Sequence, residues 1–129
     1  MNTIAHRLAR NIHAVTWDAL PEVAVHWAKI GILDTLGVTL AGASEDCVRI
    51  ALATPGVCDA PGPALIYGHG QRTSALDAAL INGVASHALD FDDVNNHIGG
   101  HPSVPLVPVI FALGDMLEVT GREALLAYV

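Results

Sequence analysis

Cations, aromatics and cysteines are all scarce in this chain, and each scarcity excludes something. Six lysines and arginines stand against 13 acids in 129 residues, a net charge of -7 with histidine neutral. With aromatics at 5%, the chain lacks the basic stripe and stacking platforms that nucleic-acid binding uses, so nucleic acid is not expected as a partner. The two cysteines, Cys47 and Cys58, have no C-x-x-C spacing, which fits a reducing compartment. Long apolar runs are missing too. Ile30–Ala43 is interrupted by Asp34, and Val104–Gly114 carries Pro105 and Pro108. Both fall short of the roughly 20 apolar residues of a bilayer span, so no membrane partner is expected. The N-terminus lacks a secretory signal. Its first acid is Asp18, a pattern shared with mitochondrial transit peptides, but the segment reads equally as an ordinary first helix, and the expected location is cytoplasmic. Gly68-x-Gly70 lacks the third glycine of a dinucleotide fingerprint.

What is present is apolar. Hydrophobic residues make up 52% of the chain, too many for disorder, and the length suits one domain at most. Thr3 can cap a helix to about His13 with Ile4, Leu8 and Ile12 on one side. Pro21 opens a helix from Glu22 to about Leu40 that is apolar nearly all round and therefore belongs inside something larger. Ser44 is the expected cap of a short helix to about Ala53, and Thr54–Pro63 is loop. Ala64–Tyr67 reads as one marginal strand. Thr73 or Ser74 caps an alanine-rich helix to about Leu89, with Asp77 completing a capping box after Ser74. A proline-punctuated helix is expected from Val104 or Pro105 to Glu118, and Thr120 with Glu123 caps a last one. Six helices make an all-α helical bundle the expected fold class. The last helix is still running at Val129, from which a truncated domain is expected.

The segment His87–Ser103 breaks the apolar pattern, holding three of the 13 acids and three of the seven histidines. Neighbouring carboxylates raise one another's pKa and histidine titrates near neutrality, so the segment suits general acid–base work. Gly99 and Gly100 would let backbone approach a ligand. Asp92-Asp93-x-x-Asn96 also suits magnesium, but without a second acidic cluster, and no H-E-x-x-H motif is present. Structural roles compete at each position. His87 shares a stripe with Leu76, Leu80, Gly83 and Val84, where a hydrogen-bonded core histidine is as natural as a catalytic one. Asp92 and Asp93 could terminate a helix or satisfy loop amides.

Several motifs taken together resemble the MmgE/PrpD family, which includes 2-methylcitrate dehydratase, cis-aconitate decarboxylase and iminodisuccinate epimerase. They are Leu33-Asp-Thr-Leu-Gly37 with Ala41-Gly42, Tyr67-Gly68, Ser74 through Asn82-Gly83, His87-x-x-Asp90-Phe-Asp92-Asp93, His101-Pro-Ser103 and Gly121-Arg-Glu-Ala-Leu-Leu126. The resemblance spans nearly all 129 residues and implies the N-terminal helical domain of a longer, usually homodimeric enzyme. In that family the active site lies in a cleft between a helical and an α+β domain. It implies metal-independent lyase or isomerase chemistry on a small polycarboxylate, of the 2-methylcitrate dehydratase kind and without a cofactor. Asp90 and His101 then stand at active-site positions. Where the family often has threonine after the double aspartate this chain has Val94, and the loop to His101 is a residue longer. Asn95, His97 and Ser103 are the expected substrate-binding residues. A polyanionic substrate also calls for cations that a chain of this charge hardly has, so the 129 residues alone are expected to be inactive. The alternatives are a non-catalytic helical dimerisation module and a magnesium-dependent diphosphate enzyme.

Overall fold

A computed structural model describes residues 3–129 as a mainly helical domain. The helices are α1 (Ile4–Ala14), α2 (Glu22–Gly42), α3 (Asp46–Leu52), α4 (Ala75–His87), α5 (Val107–Leu117) and α6 (Gly121–Tyr128). A single 3-10 turn, Trp17–Ala19, joins α1 to α2. Two short strands, β1 (Ala64–Ile66) and β2 (Gln71–Thr73), pair antiparallel with Ala64 opposite Thr73 and Ile66 opposite Gln71. The hairpin departs from the single strand expected. Gly68 and Gly70 turn the chain with positive φ, and Asp115 on α5 accepts the Leu65 amide at 2.9 Å. Asn82 on α4 clamps the same strand, donating to the Leu65 carbonyl and accepting from the Tyr67 amide. Arg72 on β2 also reaches Asp115, at 3.5 Å.

Most helix ends fall where local chemistry puts them. The Thr3 and Ser74 hydroxyls accept the amides of His6 and Asp77, and Thr120 and Glu123 complete a reciprocal capping box. Two ends differ from expectation. Glu45, not Ser44, precedes α3, and makes no side-chain cap bond. α5 starts at Val107, because the Ser103 carbonyl accepts the amides of Leu106 and Val107 and a separate turn precedes the helix. The Glu123 carboxylate, fully exposed, is held below the usual glutamate pKa by the Thr120 amide and hydroxyl. A depressed carboxylate stabilises the fold above its unfolded pKa and loses that contribution as pH falls through the folded value. Glu123→Gln is therefore expected to lower the melting temperature at neutral pH, with the gap to wild type closing below about pH 4.5; a gap that is constant with pH would contradict this.

The core is built around α4. Its buried face presents Ala78, Ile81, Asn82, Ala85 and Ser86. Ile81 and Ala85 meet Val48 and Ile66, while Ala78 meets Ala64 and Ala112. Full burial of a side chain the size of Ile81 contributes roughly 1.5–3 kcal/mol. Against α4 lies α2, drawn close by Gly42, at which a Cβ would stand 2.2 Å from the Ala85 carbonyl oxygen. The hydroxyls of Thr35 and Thr39 turn back to the carbonyls four residues earlier, which lets these polar side chains be buried on α2. At 21 residues α2 is long and apolar enough to cross a membrane by length and composition, which the interrupted run at Asp34 had argued against. Trp27, Ile30 and Leu33 on α2 and Leu76 and Leu80 on α4 remain exposed. The apolar side of α1, with Ile4, Leu8 and Ile12, is exposed as well.

Candidate functional site

The polar segment begins where α4 ends. His87 is its last residue, and the Asp90 amide bonds to the His87 carbonyl at 3.1 Å. Asp90 itself is left-handed, φ 54°, a conformation uncommon outside glycine but tolerated by Asp and Asn. This turn sends Asp92 back beneath the helix end. The Asp92 side chain is 0% exposed, although the residue has the character of a surface loop.

Asp92 organises the site. Its Oδ1 accepts the Nδ1–H of His87 at 2.9 Å, and its Oδ2 lies 2.8 Å from Nδ1 of His101. The second approach has an ion-pair distance but not the alignment of a hydrogen bond. Among the described residues, Asp92 Oδ2 and His101 Nδ1 are the buried side-chain atoms left without an aligned partner. The two imidazoles meet edge to face, with centroids 4.7 Å apart. Asp90 stands over them with its side chain 75% exposed, Oδ1 lying 3.7 Å from His101 Nε2 and 3.9 Å from His87 Nδ1. The result is a graded set, with one carboxylate fully buried, one nearly free, and two imidazoles between.

The electrostatics follow from this layering. The hydrogen bond from Asp92, and then its charge, raise the pKa of His87 above the ordinary histidine value; partial desolvation opposes this and Asp90 adds to it. The buried acceptor on Nδ1 of His87 also selects its tautomer, leaving Nε2 of that ring for other chemistry. The core role open to His87 from sequence is not the one it takes, because the Leu76–Leu80 stripe faces outward and half of the His87 side chain is exposed.

Of the residues expected at the site, Asp90 and His101 come together with His87 and Asp92, their donor atoms all lying within 4.8 Å of one another. Asn95, His97 and Ser103 are not part of that cluster. Asn95 Oδ1 accepts the amides of His97 and Ile98, and the Asn95 backbone pairs with Gly100, so its side chain holds a tight turn. His97 is exposed on that turn. Ser103 is buried, its amide and hydroxyl both donating to Asp93. Because the Ser103 proton goes to Asp93, the Tyr128 hydroxyl donates to Ser103, 2.6 Å away. Ser103 thus fastens the loop to α6, with its hydrogen-bonding capacity directed inward. Val94 is exposed and offers no polar atom. His87 and Asp92, for which the sequence left structural and functional roles open, join the cluster without having been among the expected site residues. The signal available was the H-x-x-D-x-D spacing across a helix end, which returns the third residue to the first only when the middle one turns left-handed.

A groove of about 800 Å³ adjoins His87 and is lined by Leu76, Leu80, Val84, Val104 and Val109. Its apolar walls do not match a polyanion. The acid–imidazole cluster is the polar feature beside it.

Comparison with known proteins bears on the whole domain. The family model described as MmgE/PrpD N-terminal domain matches residues 6–129. The chain is 31% identical to human cis-aconitate decarboxylase (Homo sapiens) in an alignment that covers 99% of the chain and 27% of that relative. It is 29% identical to the Mus musculus cis-aconitate decarboxylase with the same coverage. Identity to the Aspergillus terreus cis-aconitate decarboxylase is 27%, over 81% of the chain and 21% of the relative. The chain thus spans 27% of the length of its human and mouse relatives.

Proposed function

Since the chain belongs to the MmgE/PrpD family, we propose that it is the N-terminal helical part of a lyase or isomerase acting on a small polycarboxylate by metal-independent acid–base chemistry. The observation that carries this reading is the buried Asp92 carboxylate held against Nδ1 of two histidines, with the exposed Asp90 carboxylate above them. Dehydration of the 2-methylcitrate kind requires a base for the C–H proton and an acid for the departing hydroxide, and decarboxylation of cis-aconitate, the reaction named for the relatives above, requires an acid that protonates carbon.

His101 takes the role of base through Nε2, and Asp92 behind it stabilises the imidazolium as it forms, as a buried carboxylate does in a hydrolase triad. Asp90, 3.7 Å from His101 Nε2, takes the role of the acid and delivers the proton. In dehydration the C–H electron pair forms the double bond, hydroxide departs and the acid protonates it. In decarboxylation the C–C pair left behind by carbon dioxide is protonated at carbon. His87, favoured in its protonated form by Asp92, offers a cationic N–H to a substrate carboxylate. This is valuable in a chain with six lysines and arginines against 13 acids. Further cations would come from the rest of a longer chain or from a second subunit of a homodimer. A cytoplasmic location belongs to the same proposal.

The test is turnover by the whole protein on cis-aconitate, 2-methylcitrate and related tricarboxylates, followed as carbon dioxide release and as ultraviolet absorbance of the enoate, with and without a chelator. Chelator-resistant turnover of at least one of these is expected. Turnover that needs added magnesium would overturn the proposal, and none across the panel would overturn its lyase half.

A further inference from the structure

We propose that His87, Asp90, Asp92 and His101 also form a capture site for a zinc-class divalent cation, whose binding blocks the acid–base cluster. The inhibitory consequence rests on the proposed function, whereas the binding itself does not. Zinc takes nitrogen at about 2.0–2.1 Å and carboxylate oxygen at about 2.0–2.2 Å in a tetrahedron, whose donor-to-donor edges are then about 3.4 Å. Taking one donor atom from each of the four residues, all four lie within 4.8 Å of one another, and Nδ1 of His87 stands 2.9 Å from Asp92 and 3.9 Å from Asp90, on either side of that edge. The donors therefore need shifts of about an ångström to close on an ion.

A second observation points to a ligand. Oδ2 of Asp92, on a side chain that is 0% exposed, faces into the cluster without an aligned hydrogen-bond partner, and so does Nδ1 of His101. A cation between them would satisfy both. Two imidazoles with two carboxylates select zinc and similar transition ions over magnesium or calcium, which take six or more ligands, mostly oxygen. Asp90, with its side chain 75% exposed, leaves the approach open to an ion from solvent. Once bound, the ion would occupy the lone pairs of both imidazoles and the carboxylate of Asp90, which are the groups the proton transfers need.

The experiment is competition of the purified whole protein against a chromophoric zinc indicator, run in parallel on variants. Wild type is expected to take one equivalent of zinc with micromolar affinity or better. His87→Gln and His101→Gln are each expected to weaken it by about tenfold or more, while His26→Gln, on α2, leaves it unchanged. The histidines are chosen because Asp92 is buried and its replacement could unfold the site; circular dichroism melting of both variants confirms that they are folded. No uptake by wild type, or wild-type affinity retained in both site variants, overturns the site. In the whole protein, micromolar zinc is expected to stop turnover and a chelator to restore it. Zinc bound at these residues with turnover intact would overturn the inhibitory half alone.

Discussion

Asp90→Asn in the whole protein is expected to reduce turnover by about 10²–10⁴-fold, the usual contribution of a general acid or base, while changing stability by no more than about 0.5 kcal/mol. The separation of the two effects follows from how the residue is held. Its left-handed backbone, φ 54°, is tolerated by asparagine as readily as by aspartate. Its carboxylate is largely in solvent and meets its neighbours only at 3.7 and 3.9 Å, beyond hydrogen-bond range. The fold therefore draws little from this side chain, and an uncommon conformation is maintained at a position whose charge does little structural work. Strained, exposed polar residues of this kind mark functional sites more often than structural ones. Paired measurements of kcat and of the denaturation midpoint decide the matter. A lower midpoint with turnover retained would return Asp90 to a structural role.

The largest effect on the fold is expected from Gly42→Ala, a loss of about 2 kcal/mol from overpacking, read as a shift of the urea midpoint. A Cβ at this position would lie 2.2 Å from the Ala85 carbonyl oxygen and 3.1 Å from Ala88 Cβ. The first of these is main chain in the last turn of α4, so rotating a side chain gives no relief and the two helices must part. Replacing glycine in a helix gains up to about 1 kcal/mol of propensity, less at a terminus such as this, so the clash decides the sign. Gly31 offers a comparison. Its added Cβ would meet the Tyr128 hydroxyl at 2.2 Å, and that ring can swing aside, at the cost of its hydrogen bond to Ser103. A wild-type midpoint for Gly42→Ala would mean that α2 and α4 are not pressed together at Gly42.

Local chemistry made most of this architecture readable in advance. Helix starts at Thr3, Ser74 and Thr120 follow from a hydroxyl facing free amides, and the helix apolar nearly all round was rightly read as the long α2. Readability failed where distant residues decide the outcome. Gln71-Arg72-Thr73 has little strand character alone and becomes a strand because Asp115 and Asn82 fix its partner. His87 shared a stripe with Leu76 and Leu80, but which face of α4 turns inward depends on α2, α3 and the hairpin. The same limit applied to the site. Asp90 and His101 were legible through a family pattern, whereas Asp92 could not be distinguished from a loop acid until the turn at Asp90 buried it. Asn95 and His97 looked available for substrate because a tight turn that consumes the Asn95 side chain leaves no mark on spacing.

Asp93 and Ser103 clasp the two ends of the excursion that carries Val94, Asn95 and His97. Once the ends of such a loop are joined, doubling its length adds only about 0.6 kcal/mol of closure entropy. Residues can enter or leave between Val94 and Gly100 while Asp90, Asp92 and His101 keep their places. The clasp separates what must be inherited unchanged from what is free to drift, so the loop can change in length and sequence without each change having to be rescued elsewhere in the fold.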